Sequence, residues 1–379
     1  MWLRLVPLGI WLCLPFGCDG FPGGRKAARV GVILPLSSDS GVGANLSRRA
    51  LDLAIEGSRD RIQFIYRDDQ GQPARTAEAV HELVTEQDVI AIIGGLTSPC
   101  ALAAAERAER LGVPFITPMA TNANIARDRE WAFQLCFTDP QQGARMARFA
   151  WGPLSLKSVC VIRDIRNDYS VGLADAFAAT FLEQGGDVVA ELSYRSEWDS
   201  SEHLVEWFER SRADALYLPL YSPDIIDVLG KLAGEFSGRE VTFLGGDAWH
   251  SSAVREYLRD RPVPQKIFIT SHFASDRDDE EVQRFLKLLR PGGESGGQPM
   301  PTAAEALGYD AARLMLKALE SGPDSRAAAR DAIRQALSDF QGAAGNCSVD
   351  PGTGEPRKDV PVLEWREDHW RLFAEEPNR

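Results

Sequence analysis

Two hydroxyl-bearing segments stand close together in the sequence and have the residue types that bind a carboxylate. Thr97 and Ser98 follow the glycine pair in GGLTSPC, and Thr121 follows a short apolar run in VPFITPMAT. We expect Ser98 to begin a helix, where free N–H groups and the helix dipole favour an anion, and Thr121 to add a second hydroxyl. The alternative is that Ser98 and Thr121 only cap a helix and turn the backbone.

The elements around these segments predict an open parallel sheet. From Arg29 onward, short apolar runs alternate with amphipathic segments, which is the pattern of βα units with helices on both faces of a sheet. Ligands bind beyond the carboxyl ends of the strands in such sheets, so the two segments would form half of a small-molecule site. The predicted strands are 29–34, 62–66, 89–93 and 114–116, and the predicted helices are 44–58, 74–86 and 98–111.

A second group of elements repeats this rhythm and predicts a second doubly wound lobe. Its strands are expected at 158–162, 188–194, 215–219, 241–244 and 266–270, and its helices at 171–184, 202–212, 224–236 and 251–260. Helices at 279–289, 302–321 and 326–338 are expected to return to the first lobe. Alternating segments at 344–349, 360–365 and 369–373 favour an antiparallel β tail on the second lobe.

The predicted domain boundaries follow from the points at which the chain passes between the lobes. Crossings near Phe137, Ser271 and Gly345 place residues 29–137 and 272–344 in lobe 1, and residues 138–271 and 345–379 in lobe 2. Three crossings make a hinge, so the lobes can close without losing their register.

The N-terminal segment has the composition of an export signal. Residues 1–18 contain one charge, Arg4, and an apolar core that is shorter than the roughly 20 residues needed to span a bilayer. The end of the segment is similar to a bacterial lipoprotein signal, with Cys18 as the lipidated residue and plain cleavage as the alternative. Residues 19–28 would form a flexible tether. We therefore expect the protein in the periplasm or at the outer face of a bacterial membrane, lipid-anchored if Cys18 is modified.

The remaining cysteines and the net charge restrict the chemistry further. Four cysteines in an exported body permit two disulfides with three full pairings, and Cys160 is expected to be a buried free thiol because it lies in the apolar run 159–162. The other three are Cys100, Cys136 and Cys347. A net charge of -13 argues against nucleic acid as a partner.

Catalytic and cofactor motifs are missing from the sequence. The glycine-rich segment 41–43 is expected to be a turn but not a dinucleotide site, because Leu46 replaces the third glycine and the loop 35–43 is too long. The sequence has no GxxxxGK[ST] or HExxH motif and no CxxC pair, no GxSxG elbow supplies a serine nucleophile, and the histidines are scattered. We therefore expect no enzyme activity, no metal and no cofactor.

The order of several motifs resembles one known family. These motifs are RVGVILPLS, FIYRDDQGQPARTAEAV, IIGGLTSPCALAAA, VPFITPMATNAN, FTDPQQGARMARFA, DYSVGLADAF, FLGGDAWHSS and ALGYDAARLM. Together they resemble the leucine/isoleucine/valine-binding protein family, the branched-chain amino-acid type of ABC transporter substrate-binding protein. The resemblance covers nearly all of the mature chain. It implies a type I periplasmic-binding-protein fold, in which a monomer clamps a small ligand between two lobes and delivers it to ABC permease subunits in the membrane.

The resemblance also implies which residues contact the ligand. In that family an acidic residue after a Gly-Gly turn binds the ammonium of the ligand, which corresponds to Asp247 in LGGDAW, with a turn aspartate bonded to its own backbone as the alternative. Tyr169 and Tyr221 match positions whose rings wall the pocket, with half-buried core as the alternative. The carboxylate of the ligand is held by two loops of lobe 1, whose matching positions here are Leu96, Thr97, Ser98, Met119, Ala120 and Thr121.

The identity of the ligand and the final role stay open at this level. Val42 matches a ligand-facing position that is often aromatic, and its small side chain widens the pocket, so that Trp249 and His250 either fill the space or pack beneath the loop. An aliphatic amino acid, a larger one and an amide or urea-like ligand are all compatible with this pattern. The alternative function is a ligand-sensing module of a signalling system with the same clamshell fold. A hydrolase on this scaffold is a third class, which the residue inventory does not favour.

Overall fold

The protein has the predicted α/β architecture, with two lobes that are each built on a mainly parallel sheet. The structure, a computed structural model, describes residues 27–37, 41–194, 201–232, 241–261, 266–292 and 300–374. The predicted signal peptide with Cys18 lies outside these residues, as does most of the predicted tether.

The first lobe begins with five strands and three helices. In chain order these are β1 (Ala28–Leu34), α1 (Gly41–Ala54), β2 (Ile62–Asp68), α2 (Pro73–Thr85), β3 (Ala91–Gly94), α3 (Ser98–Leu111), β4 (Phe115–Thr117) and β5 (Ala132–Gln134). All strand pairs are parallel, and the strand order is β2-β1-β3-β4-β5. The strand order changes direction between β1 and β3, which is where an open sheet has its ligand crevice.

The second lobe repeats the βα alternation on its own sheet. Its elements are α4 (Asp139–Trp151), β6 (Ser158–Arg163), α5 (Asp168–Glu183), β7 (Asp187–Ser193), α6 (Ser201–Ser211), β8 (Ala215–Leu218), α7 (Ser222–Leu232), β9 (Thr242–Gly245), α8 (Ser252–Asp260) and β10 (Lys266–Thr270). Every residue of β3 and of β8 is buried, because helices cover both faces of each sheet.

The remaining elements complete both lobes. They are α9 (Glu280–Leu289), α10 (Ala303–Ala318), α11 (Arg326–Leu337), β11 (Phe340–Gly342), β12 (Gly345–Val349), β13 (Pro356–Lys358), β14 (Val362–Arg366) and β15 (His369–Ala374). Helix α10 packs on α1, and β11, β12 and β13 form a small antiparallel sheet. Strand β14 pairs antiparallel with β10, so the second sheet has the order β15-β14-β10-β9-β8-β6-β7.

The segments that join the lobes lie against one another. The ring of Phe137 stacks on the imidazole of His272 with centroids 3.8 Å apart. The Ser271 N–H donates to the carbonyl of Pro361 at 3.0 Å. The segments around Phe137, Ser271 and Pro361 are therefore in direct contact with one another.

The third crossing lies later in the chain than the predicted position near Gly345. Cys347 is buried in the core of the first lobe beside Phe340, because β12 pairs with β11 directly after α11. The chain enters the second lobe between Lys358 and Val362, where β14 begins. The predicted tail therefore divides, and only its last two strands extend the second sheet.

Two further expectations concern the first loop and the cysteines. The glycine-rich segment predicted as a turn is instead the start of α1, because the chain already turns at Leu36, whose N–H donates to the carbonyl of Leu34 at 3.0 Å. Cys160 is buried and forms no disulfide, as predicted, and its Sγ lies 3.0 Å from the Ser211 hydroxyl. The other three cysteines of the described chain, Cys100, Cys136 and Cys347, are also free and buried, so neither permitted disulfide forms.

Candidate functional site

Five of the predicted site residues follow the carboxyl ends of strands at one seam between the lobes. Ser98 follows β3 and Thr121 follows β4, whereas Tyr169, Tyr221 and Asp247 follow β6, β8 and β9 of the second sheet. Helices α3 and α5 make contact across this seam, so the two lobes are closed on each other. The topology therefore brings together residues that are far apart in sequence, as expected for an open α/β sheet.

The first-lobe side of the seam is the N-terminus of α3. Thr97 is the N-cap and Ser98 the first helical residue, as the sequence predicts. Gly95 makes the tight turn before them with a φ of 64°, and a Cβ at this position would lie 2.7 Å from the Cα of Ala101. The side chain of Ser98 is buried, and its hydroxyl has no hydrogen-bond partner among the described residues. A buried hydroxyl beside free helical N–H groups is suited to an anionic group of a ligand.

The neighbouring loop is fixed to this turn by Thr117. The Thr117 hydroxyl donates to the carbonyl of Gly95 at 2.8 Å and accepts from the N–H of Ala120 at 3.2 Å. The Ala120 carbonyl accepts from Gln134 Nε2 at 2.9 Å and from the Cys136 thiol. The N–H and the carbonyl of Ala120 therefore already form hydrogen bonds within the protein, so Ala120 can contact a ligand only through its methyl group.

The other first-lobe positions differ in how they meet the seam. Leu96 and Met119 are half-buried and pack against cores of the first lobe. Thr121 is buried, and its side chain lies against Asp139 of α4. Val42 lies in α1, but its side chain falls outside the described part of the structure.

The second-lobe side is centred on the carboxylate of Asp247. Its Oδ1 accepts from Gln142 Nε2 at 2.6 Å and from the Tyr169 hydroxyl at 3.0 Å, and its Oδ2 lies 3.2 Å from His272 Nε2. Burial alone would raise the pKa of Asp247, but the hydrogen bonds from His272, Gln142 and Tyr169 lower it below its usual value. Asp247 is thus an ionised carboxylate held by distant side chains, and not a turn aspartate bonded to its own backbone.

Two tyrosines form a stacked wall beside this carboxylate. The rings of Tyr169 and Tyr221 are 4.9 Å apart with an interplanar angle of 11°. Gly246 allows the close approach of the Tyr169 hydroxyl, because a Cβ there would overlap it. Burial raises the pKa of Tyr221, and a hydrogen bond with the backbone of Ser98 opposes that rise. Since this contribution favours the phenolate, the Ser98 N–H faces the Tyr221 hydroxyl from the opposite lobe.

Asp139 is a second carboxylate in the seam that the sequence analysis did not identify. It is the first residue of α4, is only 2% exposed, and neither of its oxygens completes a hydrogen bond of ordinary geometry. Burial raises its pKa to about 8; the nearby Thr121 hydroxyl lowers the pKa, and the charges of Asp247 and Asp168 raise it further. Asp139 therefore binds a proton at neutral pH when the seam holds no cation.

The sequence analysis also did not identify Gln142, Tyr217 and His272. With Ser98 and Asp139, these residues have buried polar atoms that form no hydrogen bond among the described residues. The atoms at the seam are Ser98 Oγ, both carboxylate oxygens of Asp139, Gln142 Oε1, the Tyr217 hydroxyl and His272 Nδ1. The pattern Thr138-x-x-Gln141, which forms a capping box at the start of α4, could have shown that Asp139 and Gln142 share the first turn of a helix directly after the hinge. His272 and Tyr217 had no such local signal.

Trp249 and His250 pack beneath the loop and do not fill the pocket. The indole of Trp249 is fully buried and donates to the carbonyl of Leu218 at 2.9 Å. His250 Nδ1 lies 2.6 Å from the Ser271 hydroxyl, and burial lowers the pKa of this histidine to about 3. Within the described ranges, no group of acidic, histidine and cysteine side chains could hold a metal ion, and no helix is long and apolar enough to cross a membrane.

Comparisons with known proteins agree with this architecture. Residues 27–369 match the family model described as periplasmic binding protein. The Leu/Ile/Val-binding protein homolog 6 of Brucella suis is 23% identical over 85% of this chain and 83% of its own length. An amino acid binding protein of Pseudomonas aeruginosa is 30% identical, but the match spans 47% of this chain and about half, 48%, of that relative.

One further relative and one solved structure are informative. The substrate-binding protein BasB of a chemotactic signal transduction system in Halobacterium salinarum is 26% identical over 84% of this chain and 75% of its own. The crystal structure of the leucine binding protein LivK from Thermotoga maritima superposes with a TM-score of 0.82 and 26% identity, covering 93% of this chain and 99% of that one. The type I periplasmic-binding-protein fold implied by the motifs is therefore confirmed.

Proposed function

This chain belongs to the periplasmic binding protein family, and from that premise we propose that it is an extracytoplasmic solute-binding protein of an ABC importer. It binds an amino acid or a close analogue between its two lobes and delivers it to a permease. The observation that carries this proposal is the set of buried polar atoms without a protein partner along the seam. Such atoms are rare in native proteins and are explained here if a small polar ligand completes their hydrogen bonds.

The two sides of the seam suit the two ends of a zwitterion. The N-terminus of α3, with Thr97 and Ser98, provides N–H groups and a hydroxyl for the carboxylate, and Thr121 adds a second hydroxyl. The Asp247 side chain is 10% exposed and retains lone pairs for the ammonium. Tyr169 and Tyr221 form the wall beside it. Leu96, Met119 and Ala120 border the remaining space, and the family resemblance adds Val42 as a proposed ligand-facing position.

Closure of the hinge completes the site. Neither lobe alone offers both an anion site and a cation site, so a zwitterion binds best to the closed form and shifts the equilibrium towards it. In the closed form without ligand, the Ser98 N–H faces the Tyr221 hydroxyl of the other lobe. A ligand carboxylate at the same helix terminus takes over or shares this donor.

Thermal unfolding against a panel of amino acids and their amides tests this function. A ligand present at about a hundred times its dissociation constant adds about 2.7 kcal/mol of stability. At least one member of the panel is expected to raise the unfolding temperature of the mature protein. If none does, the amino-acid proposal is wrong.

Export and lipidation are a separate part of the proposal. The sequence of residues 1–18 and the family membership support a chain that is exported and anchored through Cys18. Mass spectrometry of the N-terminal peptide from the native host checks this directly, since a lipidated Cys18 adds the mass of its acyl chains. A mature N-terminus at another residue would contradict it.

A sensing role is the second candidate, and the BasB relative favours it. The same closed form could be recognised by a receptor of a signalling system instead of a permease. Uptake of labelled ligand by cells with and without the gene separates the two roles. Loss of uptake supports transport, whereas normal uptake with a lost response to the ligand supports sensing.

A further inference from the structure

The seam between the lobes contains two carboxylates that serve different purposes. Asp247 comes from the second lobe and is held by donors from Gln142, Tyr169 and His272. Asp139 comes from the start of α4, next to the hinge; the Thr121 hydroxyl lies nearby, but neither carboxylate oxygen completes a hydrogen bond of ordinary geometry among the described residues. The two carboxylates are close enough for the charge of Asp247 to act on Asp139.

Asp139 has neither of two structural roles that can explain a buried aspartate, which are accepting backbone hydrogen bonds and capping a helix. Asp310 of α10 is the comparison: it is also fully buried, but its oxygens accept from the N–H groups of Ala343 and Ala344 at 2.7 Å and 2.8 Å. Asp139 is also not needed as a helix cap, because Thr138 and Gln141 form the capping box of α4. An unpartnered buried carboxylate is costly in folding, so its presence here indicates a partner that the protein itself does not supply.

The surroundings of Asp139 indicate the charge of that partner. Among the described residues, the charged groups that act on its pKa are the carboxylates of Asp247 and Asp168. The titratable groups on which Asp139 in turn acts are the thiol of Cys136 and the hydroxyls of Tyr169, Tyr217 and Tyr221. A cation would be attracted by both carboxylates and could also lie against the faces of the stacked tyrosines.

We propose that Asp139 binds a second cationic group of the ligand, so that the preferred ligand is an amino acid or amine with a side-chain ammonium or guanidinium group. The inference deepens the proposed function and rests on it. Asp247 then holds the α-ammonium, and Asp139 holds the cation at the end of the ligand side chain or, in a diamine, the second amine. A ligand with two cationic groups pairs with both carboxylates. An aliphatic amino acid would pair with Asp247 only and would leave the Asp139 carboxyl group without a partner.

Proton balance gives this proposal an independent readout. Before binding, Asp139 is a neutral carboxyl group at neutral pH, because burial raises its pKa to about 8. The ligand keeps its own protons, the Asp139 carboxyl proton passes to the solvent, and the carboxylate pairs with the cation. Binding of a cationic ligand near pH 7 is therefore expected to release close to one proton, whereas a neutral side chain of the same length releases none.

Isothermal titration of the mature protein with matched ligand pairs tests the inference. Lysine is compared with norleucine, and arginine with citrulline, at pH 7 and pH 8 in two buffers of different ionisation enthalpy. We expect the better cationic ligand to bind at least tenfold more tightly than its neutral counterpart and to release a proton. Asp139→Asn is expected to lower the affinity for that ligand at least thirtyfold, to leave the neutral ligand within threefold, and to abolish the proton release.

The outcomes separate this inference from the proposed function. If norleucine or citrulline binds as tightly as its cationic counterpart, the inference is wrong while the amino-acid function stands. The same holds if Asp139→Asn keeps the preference for the cation. If no amino acid or diamine binds, both proposals fail. The comparison within the wild-type protein needs no variant, so it decides the matter even if Asp139→Asn does not fold.

Discussion

His272 Nε2 lies 3.2 Å from Asp247 Oδ2, and this contact joins the ligand seam to the hinge. The imidazole of His272 also stacks on Phe137, which belongs to the first segment that crosses between the lobes. Burial lowers the pKa of His272 more than Asp247 raises it, so the ring is neutral and Nε2–H is the donor.

Asp247→Asn is expected to weaken the binding of ligands with an α-amine about tenfold to a hundredfold. A hydrogen bond between charged groups contributes about 1.5–3 kcal/mol, and a hydrogen bond from the ammonium to the neutral amide of Asn is weaker. Titration calorimetry with the best ligand measures the change. Asn is preferred to Ala because truncation would leave the Gln142, Tyr169 and His272 donors buried without an acceptor.

Asp310→Asn is the matched control for that variant. Its carboxylate is fully buried and accepts from the N–H groups of Ala343 and Ala344 in the first lobe. We expect it to lower the free energy of unfolding by about 1–3 kcal/mol and to leave ligand affinity unchanged. Equal loss of affinity in both variants would refute a specific role for Asp247.

Ser98→Ala is expected to separate binding from stability. The Ser98 hydroxyl is buried without a partner, so its removal should change the free energy of unfolding by less than about 0.5 kcal/mol or increase it. The affinity for carboxylate ligands should fall about tenfold, because a hydrogen bond to a charged group is lost. Urea unfolding and titration on the same preparations measure both quantities.

Ser325→Ala is expected to show the opposite pattern. Ser325 caps α11, where its hydroxyl accepts from the N–H of Ala328 at 3.2 Å. Loss of this cap lowers stability by about 1 kcal/mol and should not affect binding. If Ser98→Ala behaves like this cap variant, Ser98 only caps its helix.

Tyr221→Phe is expected to open the ligand-free protein. The change keeps the stack with Tyr169 but removes the hydroxyl that faces the Ser98 N–H of the other lobe, a contact that is expected to stabilise the closed form by about 1 kcal/mol. Small-angle scattering should show a larger radius of gyration than in the wild type. Tyr194→Phe, which loses a 3.0 Å bond to Asp227 within the second lobe, is the control and should not change the radius.

His250 is expected to reduce stability in acid. Its folded pKa of about 3 is below the usual 6.5, so the unfolded chain binds more protons between these values and stability falls as pH falls below about 6.5. In His250→Gln we expect the loss per pH unit between pH 6 and pH 4 to be smaller by about 1 kcal/mol. Urea unfolding at several pH values measures the slope, and His81→Gln, which lies exposed on α2, should keep the wild-type slope.

Asp139 is expected to reduce stability as pH rises, which is the opposite of the effect of His250. Its folded pKa of about 8 is above the usual 3.8, so the folded chain binds more protons in this window and loses stability as pH rises from about 4 to 8. Asp139→Asn removes this loss, and at pH 7 without ligand it should be about 2–4 kcal/mol more stable than the wild type. A variant less stable than the wild type at pH 7 would mean that the carboxylate has a structural partner.

The sequence alone determined the local structure and the order of the elements. The apolar runs of β3 and β8 and the Ala-rich pattern of α3 define strands and a helix because periodicity and propensity act over a few residues. The Gly-Gly turns position Ser98 and Asp247 directly after strands, which is why these two site residues could be found by inspection. Helix α3 begins and ends at the predicted residues, Ser98 and Leu111.

Only the tertiary structure decided which polar groups meet and which stay without a partner. Asp139 and Asp247 are far apart in sequence, and their proximity depends on how two lobes close across a hinge. The place of the third crossing likewise depends on the packing of Cys347 in the first lobe. A sequence pattern predicts which side chains of one helix or strand are buried. Whether a buried carboxylate finds a hydrogen-bond donor depends on contacts between different elements. That is the property on which the inferred ligand charge depends.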